Sequence, residues 1–205
     1  PETSGAGGRP SSLALADVDS DSSLDVVAAN IADGTISVLL GTGNGTLAEP
    51  QIYAAGVHPV LSAVRDFNGD GLLDIVTGNR GTINEQNGSI SVFLGRGDGT
   101  FAEQVKRDLG YDYQTRAFLA LDDLNHDEVL DAVVRDGYRD SLSVLFGAAD
   151  GSLRSEGASL PGPSASFVSL RDMNDDSALD IVTGNGNGTV SVRSGNSDGT
   201  FERWG

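Results

Sequence analysis

Four nine-residue segments share one pattern: "DVDSDSSLD" at 17–25, "DFNGDGLLD" at 66–74, "DLNHDEVLD" at 123–131 and "DMNDDSALD" at 172–180. Their starts lie 49, 57 and 49 residues apart. A motif returning at a nearly constant period marks an array of like supersecondary units, and this constrains the fold more than any single residue does. The flanks repeat as well. An apolar run precedes each motif ("SLALA", "VLSAV", "AFLAL", "FVSL"), and another follows it ("LDVVAAN", "LDIVTGN", "LDAVVRD", "LDIVTGN"). A third run ("TISVLLG", "SISVFLG", "SLSVLFG", "TVSVRSG") leads into a Gly-rich turn and a fourth segment, such as "GDGTFAEQVKR".

These segments are short, rich in Val, Ile and Leu, partly alternating, and bounded by Gly, Asn and Asp. They read as strands joined by hairpins. No stretch combines a helical period with capping residues. Each unit of about 50 residues is therefore four strands, the signature of a propeller blade. The predicted fold is all-β: a β-propeller of four four-stranded antiparallel blades, with the Asp-rich loop joining the innermost strand to the second. The chain reads as a single domain over 1–205, with repeats at about 11–58, 59–115, 116–164 and 165–205. Residues 1–10 complete an outer strand. Pro10 precedes Asp17 by seven residues, as Pro59 precedes Asp66, so "SGAGGRP" takes the place of "AAGVHP" in the link between units. The sequence given stops just after Phe201, at the start of the equivalent outer strand. Three outcomes follow: a closed four-bladed ring, part of a larger propeller completed by another chain or by further sequence, or an open array that self-associates. An unclosed array exposes sheet edges and an apolar face, which favours homo-oligomerisation.

The repeated loops carry the chemistry. Calcium takes six to eight oxygens in a flexible geometry. Positions 1, 3, 5 and 9 of each loop offer side-chain oxygens, and position 7 offers its backbone carbonyl. The candidate ligands are Asp17, Asp19, Asp21, Ser23 and Asp25; Asp66, Asn68, Asp70, Leu72 and Asp74; Asp123, Asn125, Asp127, Val129 and Asp131; and Asp172, Asn174, Asp176, Ala178 and Asp180. This gives up to four Ca²⁺, one per repeat. Position 8 is leucine throughout (Leu24, Leu73, Leu130, Leu179), an apolar anchor that plugs the core. An EF-hand would need a bidentate Glu at position 12 and a following helix. Position 12 holds Ala28, Thr77, Val134 and Thr183, so that reading fails. Empty Asx turns are the plainer alternative. Against them, 13 of the chain's 23 aspartates sit at ligand positions of these loops. Three unneutralised carboxylates in one turn repel one another by several kcal/mol at close range.

The loops are unequal. Only the second has glycine at position 6, Gly71, where a sharp turn favours positive φ. The third carries His126 and Glu128 inside the loop and diverges most, so the third site is expected to be the weakest. No His, Ser or Cys stands at motif spacing beside the loops, which makes the ions structural: they pin the first hairpin of each blade.

Composition supports this picture. The formal net charge is −17, and the sequence has no cysteine and two histidines, His58 and His126. That excludes disulfides and thiolate sites, disfavours imidazole-based zinc or iron chemistry, and argues against nucleic-acid binding. There is no apolar run of membrane-spanning length, so membrane insertion is not expected. "PETSGAGGRP" lacks the basic start and apolar stretch of a signal peptide, as in a mature or excised chain.

The order D-x-[DN]-x-D-x-x-x-D, then "LDIVTGN", then "SVFLG" with "GDGTF", resembles the FG-GAP/VCBS repeats of integrin α-subunit propellers and many secreted proteins. The resemblance covers almost the whole chain. It implies a calcium-binding propeller, usually of seven blades, in a secreted or cell-surface protein. Such propellers serve as lectins, adhesion modules and appendages of enzymes, so the resemblance does not fix one function.

Three further motifs have ordinary explanations. Arg96-Gly97-Asp98 spells an integrin-binding tripeptide, but it occupies the Gly-rich turn present in each repeat. The sequons at Asn44, Asn87 and Asn187 fall on Asn-Gly hairpin turns. Repeated aspartates suggest glycosidase carboxylates at first, yet an acid and base pair should be unique, and these recur in one frame four times. The irregular segments are better sites for a ligand. "NRGTINEQNG" lengthens a hairpin at 79–88, and "GYDYQT" at 110–115 brings Tyr111 and Tyr113, candidates for stacking on a sugar ring or on a neighbouring blade. Trp204 could cap the outer strand or contact a partner chain. The expected role is non-catalytic recognition of carbohydrate or protein. The alternatives are a purely structural or oligomerisation unit, and an accessory domain of a secreted enzyme.

Overall fold

The computed structural model describes residues 5–82, 88–109, 119–136, 141–154, 159–161 and 165–202. Among them there are sixteen strands and no helix, and hence no helix long and apolar enough to cross a membrane. The strands form four antiparallel sheets, one per repeat. The first sheet runs β1 (Pro10–Ala16), β2 (Asp25–Asn30), β3 (Thr35–Leu39) and β4 (Gln51–Ala54), in sequence order. The second repeats this with β5 (Pro59–Arg65), β6 (Asp74–Asn79), β7 (Ser89–Phe93) and β8 (Val105–Asp108). In the third, β9 (Leu119–Asp122) and β10 (Asp131–Asp136) precede β11 (Ser141–Gly147), which pairs with two short strands, β12 (Leu153–Arg154) and β13 (Ser159–Pro161). The fourth has three strands, β14 (Ala165–Arg171), β15 (Asp180–Asn185) and β16 (Val190–Arg193). Among the described residues it has no fourth strand; the bridge between Gly195 and Phe201 is the one that Gly41 makes with Leu47 and Gly95 with Phe101 in the turn after the third strand.

Alternation along each strand decides which sheets meet. Residues one after the closing Asp of each loop face the preceding sheet, and residues two after it face the following one. Ile75 lies in the core between the first two sheets, with Val27, Ile36 and Val38 opposite. Ala132 shares the next core with Val76, Ile90 and Val92. Ile181 shares the third with Val133, Leu142 and Val144. Three apolar cores therefore separate four sheets stacked in sequence order. Burial of each Val, Leu, Ile or Phe side chain contributes roughly 1.5–3 kcal/mol before entropy is set against it. Tyr53 adds an edge-on contact to Phe93 and another to Phe101, at ring-centroid distances of 6.3 and 5.8 Å.

Two local devices repeat with the sheets. Asn79, ending β6, donates from Nδ2 to Ser89 and Ser91 across the hairpin. Asn30 and Asn185 do the same, to Thr35 and Ser37 and to Thr189 and Ser191. The link into each sheet also recurs. Arg9 and His58, each before the first proline of its strand, have φ of 56° and 54°. The carbonyls of Arg9 and Gly8 accept from Ile31 and Ala32, as those of His58 and Val57 accept from Arg80 and Gly81. Residues 8–10 thus repeat the backbone bonds and the positive φ of the link between the first and second sheets.

Candidate metal centre

Each Asp-rich loop connects the first strand of a sheet to the second, and all four have one backbone conformation. Positions 4 and 6 lie in the left-handed region in every copy: Ser20 and Ser22, Gly69 and Gly71, His126 and Glu128, Asp175 and Ser177, with φ between 62° and 85°. The glycine seen in the sequence at Gly71 is therefore the relaxed solution to a requirement that the other loops meet with strained residues.

The position-1 carboxylate organises the turn. Asp66 accepts the N–H groups of Gly69 and Asp70 on Oδ1 and that of Gly71 on Oδ2, at 2.8, 3.2 and 2.8 Å. Asp17, Asp123 and Asp172 accept equivalent bonds. The position-5 carboxylates, Asp21, Asp70, Asp127 and Asp176, each accept the N–H of position 7, held by Ser23, Leu72, Val129 and Ala178. At position 3, Asn68, Asn125 and Asn174 donate from Nδ2 to the position-5 carboxylate. The first loop has Asp19 there instead, and one carboxylate oxygen from each of Asp17, Asp19 and Asp21 lies within 4.8 Å of the others. Hard oxygen donors at this spacing, on a loop held open by its own N–H groups, fit a calcium-sized cation.

The closing aspartate behaves differently. Asp25, Asp74, Asp131 and Asp180 are all buried. Each accepts a position-2 N–H on Oδ2 (Val18, Phe67, Leu124, Met173) at 2.7–3.0 Å. Each accepts on Oδ1 from a glycine at or just past the end of the third strand (Gly41, Gly95, Gly147, Gly195) at 2.7–2.9 Å. A Cβ at any of these glycines would collide with the carbonyl oxygen of the position-8 leucine. The carboxylate thus ties the loop to the far hairpin as well as bordering the candidate site. Sequence reading missed this tie. The signal for it was present, since glycine recurs at that place in all four repeats.

Among the described residues, the two ion pairs, Arg65–Asp122 and Lys106–Asp108, involve none of the candidate ligands. Burial pushes the Asp131 carboxyl up to about 6, against the N–H groups of Gly147 and Leu124, with Asp127 and Asp123 adding repulsion. Asp74 is raised for the same reasons, with Gly95 and Phe67 opposing. Asp19 is raised by desolvation and by the carboxylates of Asp21, Asp25 and Asp17, while the Asp21 N–H opposes. Desolvation also acts on Asp172, but the N–H groups of Ser177, Asn174, Asp175 and Asp176 outweigh it and hold that carboxyl low.

The remaining sequence candidates are quickly placed. Asp98 accepts the hydroxyl and the N–H of Thr100 within its own turn, flanked by Gly97 and Gly99 at positive φ, so the Arg-Gly-Asp tripeptide is a hairpin turn. Asn44 and Asn187 make the same bonds to Thr46 and Thr189. Tyr111, Tyr113, Asn87 and Trp204 lie outside the described residues. The position-8 leucines divide: Leu130 is buried and Leu73 and Leu179 pack on the cores, whereas Leu24 is 63% exposed.

A four-sheet repeat array with an Asp-rich loop opening every sheet defines a class, and comparison with known proteins supplies its name. Residues 17–77 and 66–134 match the FG-GAP-like repeat, and the chain belongs to that family. Among solved structures it is similar to the crystal structure of the V. cholerae biofilm matrix protein Bap1, at 18% identity and a TM-score of 0.50. That alignment covers 96% of this chain and 30% of the Bap1 chain, a likeness of fold. No curated protein matches the sequence.

Proposed function

We propose that the chain is a calcium-stabilised, propeller-type repeat module acting outside the cell, with a non-catalytic role in recognising carbohydrate or protein. The observation that carries this reading is the cluster of Asp17, Asp19 and Asp21 carboxylates within 4.8 Å, in a loop conformation repeated four times. Up to four Ca²⁺ would be held by side chains at positions 1, 3 and 5 and by the position-7 carbonyls. The closing aspartates would add an oxygen while keeping their backbone bonds. A bound ion supplies only charge neutralisation and cross-linking here. The loops' own residues set the path from first strand to second. The same frame recurs in every repeat, which suits a structural ion and not a reaction centre. The extracellular setting is supported by the family and by the fold likeness to a biofilm matrix protein.

The test is glycan-array and protein-array binding by the purified chain in calcium and in EDTA. Selective binding in calcium that fades in EDTA supports the reading. Calcium-dependent stability without any ligand would instead favour the second reading, a structural unit of a larger assembly. The apolar faces left open at the two ends of the array favour that alternative.

A further inference from the structure

The Gly-rich turn after the third strand does more than close its own hairpin. It reads Gly95-Arg96-Gly97-Asp98-Gly99 in the second sheet, Gly147-Ala148-Ala149-Asp150-Gly151 in the third and Gly195-Asn196-Ser197-Asp198-Gly199 in the fourth. The last glycine of each turn lies against the preceding sheet. A Cβ on Gly99 would lie 2.8 and 2.9 Å from the two methyl carbons of Leu40. On Gly151 it would meet Leu94 at 3.4 Å, and on Gly199 it would strike the Phe146 ring. Leu40, Leu94 and Phe146 hold one place in three successive repeats, just before Gly41, Gly95 and Gly147.

The same turns reach the candidate ligand at position 3 of the preceding loop. A Cβ on Gly99 would lie 3.4 Å from that of Asp19, and one on Gly199 would lie 3.6 Å from that of Asn125. At the junction between these two, Asn68 donates from Nδ2 to the Ala149 carbonyl at 3.2 Å, across 81 residues of chain. The second loop is held from the third sheet in two further ways. The Leu130 N–H donates to the Phe67 carbonyl at 2.8 Å, and a Cβ on Gly69 would lie 2.8 Å from the Glu128 carbonyl oxygen. Gly45 supplies the comparison. It holds the same place in the turn of the first sheet, at φ 89°, and among the described residues nothing lies within 4 Å of a Cβ there. Gly45 therefore serves its backbone alone. Gly99, Gly151 and Gly199, at φ of 77°, 80° and 76°, serve both backbone and close approach.

We propose that the Gly-rich turn of each sheet is a positioning element for the Asp-rich loop of the sheet before it, holding the position-3 side chain where a cation would be met. The contacts recur at three internal junctions and involve neither end of the array. Asp19, Asn68 and Asn125 are half-buried beneath these turns. A side chain fixed before an ion arrives has less freedom to lose on binding it, which favours binding. By linkage, an ion in one loop then orders the turn of the next sheet. Only this consequence rests on the calcium reading proposed above; the bracing of the loop does not.

The experiment is amide hydrogen exchange, resolved by NMR, on the full chain and on Gly99→Ala, Gly151→Ala and Gly45→Ala, in EDTA and in calcium. All three variants put alanine at positive φ, but only the first two press on another sheet. In EDTA, Gly99→Ala should speed exchange at Asp21 and Ser22, which the Asp17 carboxylate holds, by about fivefold or more, and leave Asp127 and Glu128 of the third loop unchanged. Gly151→Ala should act in the same way on Asp70 and Gly71 and spare Asp21 and Ser22. Gly45→Ala should leave all these amides as in the parent. Gly151→Ala, whose methyl meets Leu94 and Val105 at 3.4 Å, decides the matter if Gly99→Ala does not fold. In calcium, the parent should gain protection at Gly151 and Gly199, and Asp66→Asn should shrink the gain at Gly151 alone. Loops that exchange as in the parent overturn the proposal. So does loosening of every loop alike, or an equal effect from Gly45→Ala, since either makes the glycines matter only to their own turns. A gain at Gly151 that Asp66→Asn leaves intact overturns it too. Selective loosening in EDTA, with no effect of calcium on any loop, would uphold the positioning role and remove calcium from these loops.

Discussion

Asp74 accepts the backbone N–H of Gly95 at 2.7 Å, while its second oxygen accepts that of Phe67 at 2.8 Å. One buried carboxylate therefore fastens the start of the loop to the exit of the third strand, 21 residues away. An amide has a single acceptor oxygen, so Asp74→Asn leaves one of these buried N–H groups unsatisfied. The expected loss is about 2 kcal/mol in urea denaturation, in EDTA as well as in calcium. Gly95→Ala drives a methyl into the Leu73 carbonyl and should cost about 3 kcal/mol. Asp70→Asn, on the exposed side of the same loop, should change stability by no more than about 0.5 kcal/mol in EDTA and weaken calcium binding. The contrast separates an aspartate that holds the fold from one that holds an ion.

Asp19 lies beside Asp17 and Asp21, and desolvation together with those carboxylates raises it. Asp19→Asn relieves that repulsion. The variant should melt higher than the parent in EDTA and lower than the parent in calcium. The crossing of the two orders in differential scanning calorimetry is the readout.

Backbone strain sets the second loop apart from the other three, and among those the third carries the largest side chains at the left-handed positions. His126 and Glu128 adopt positive φ with full side chains, where the second loop has Gly69 and Gly71. Glu128→Gly should stabilise the chain by about 1 kcal/mol, less the extra freedom it gives the unfolded state. Isothermal titration of single-loop variants should find the third site weakest. Equal affinities at all four sites would contradict the link between strain and binding.

Asp131 makes a pH dependence. Its carboxyl titrates near 6 in the calcium-free fold, against 3.8 ordinarily, because burial disfavours the charge. Between those values the native state holds a proton that the unfolded chain has released. Its contribution to stability is therefore largest at low pH and is lost as pH rises through about 6. Carbon-detected NMR titration in EDTA should show the raised midpoint, and added calcium should lower it.

Much of this was legible in the sequence because it is local. The four-strand units, the hairpin turns and the Asp loops are each written within a few residues, and their recurrence made the pattern robust. What involves distant partners was not. The closing aspartates read as ligands, and their bond to a glycine some 15 to 21 residues on shows only in the fold. Glycine at one position 6 hinted at left-handed backbone, but Ser22, Glu128 and Ser177 hide the same conformation under residues that do not announce it. Leu24 read as a core anchor like Leu73. It is exposed because that position packs on the preceding sheet, and no described residues place one there.

Calcium in these loops is proposed to hold the array together. Thermal unfolding of the parent in calcium and in EDTA tests it most directly, beside a triple variant with Asp17, Asp66 and Asp172 each changed to Asn. One site saturated at a hundred times its Kd adds about 2.7 kcal/mol, or about 5–10 °C in a chain of this size, and several sites add more. A rise of at least that size is expected for the parent and a much smaller one for the variant. Equal melting temperatures for the parent in calcium and EDTA would contradict it.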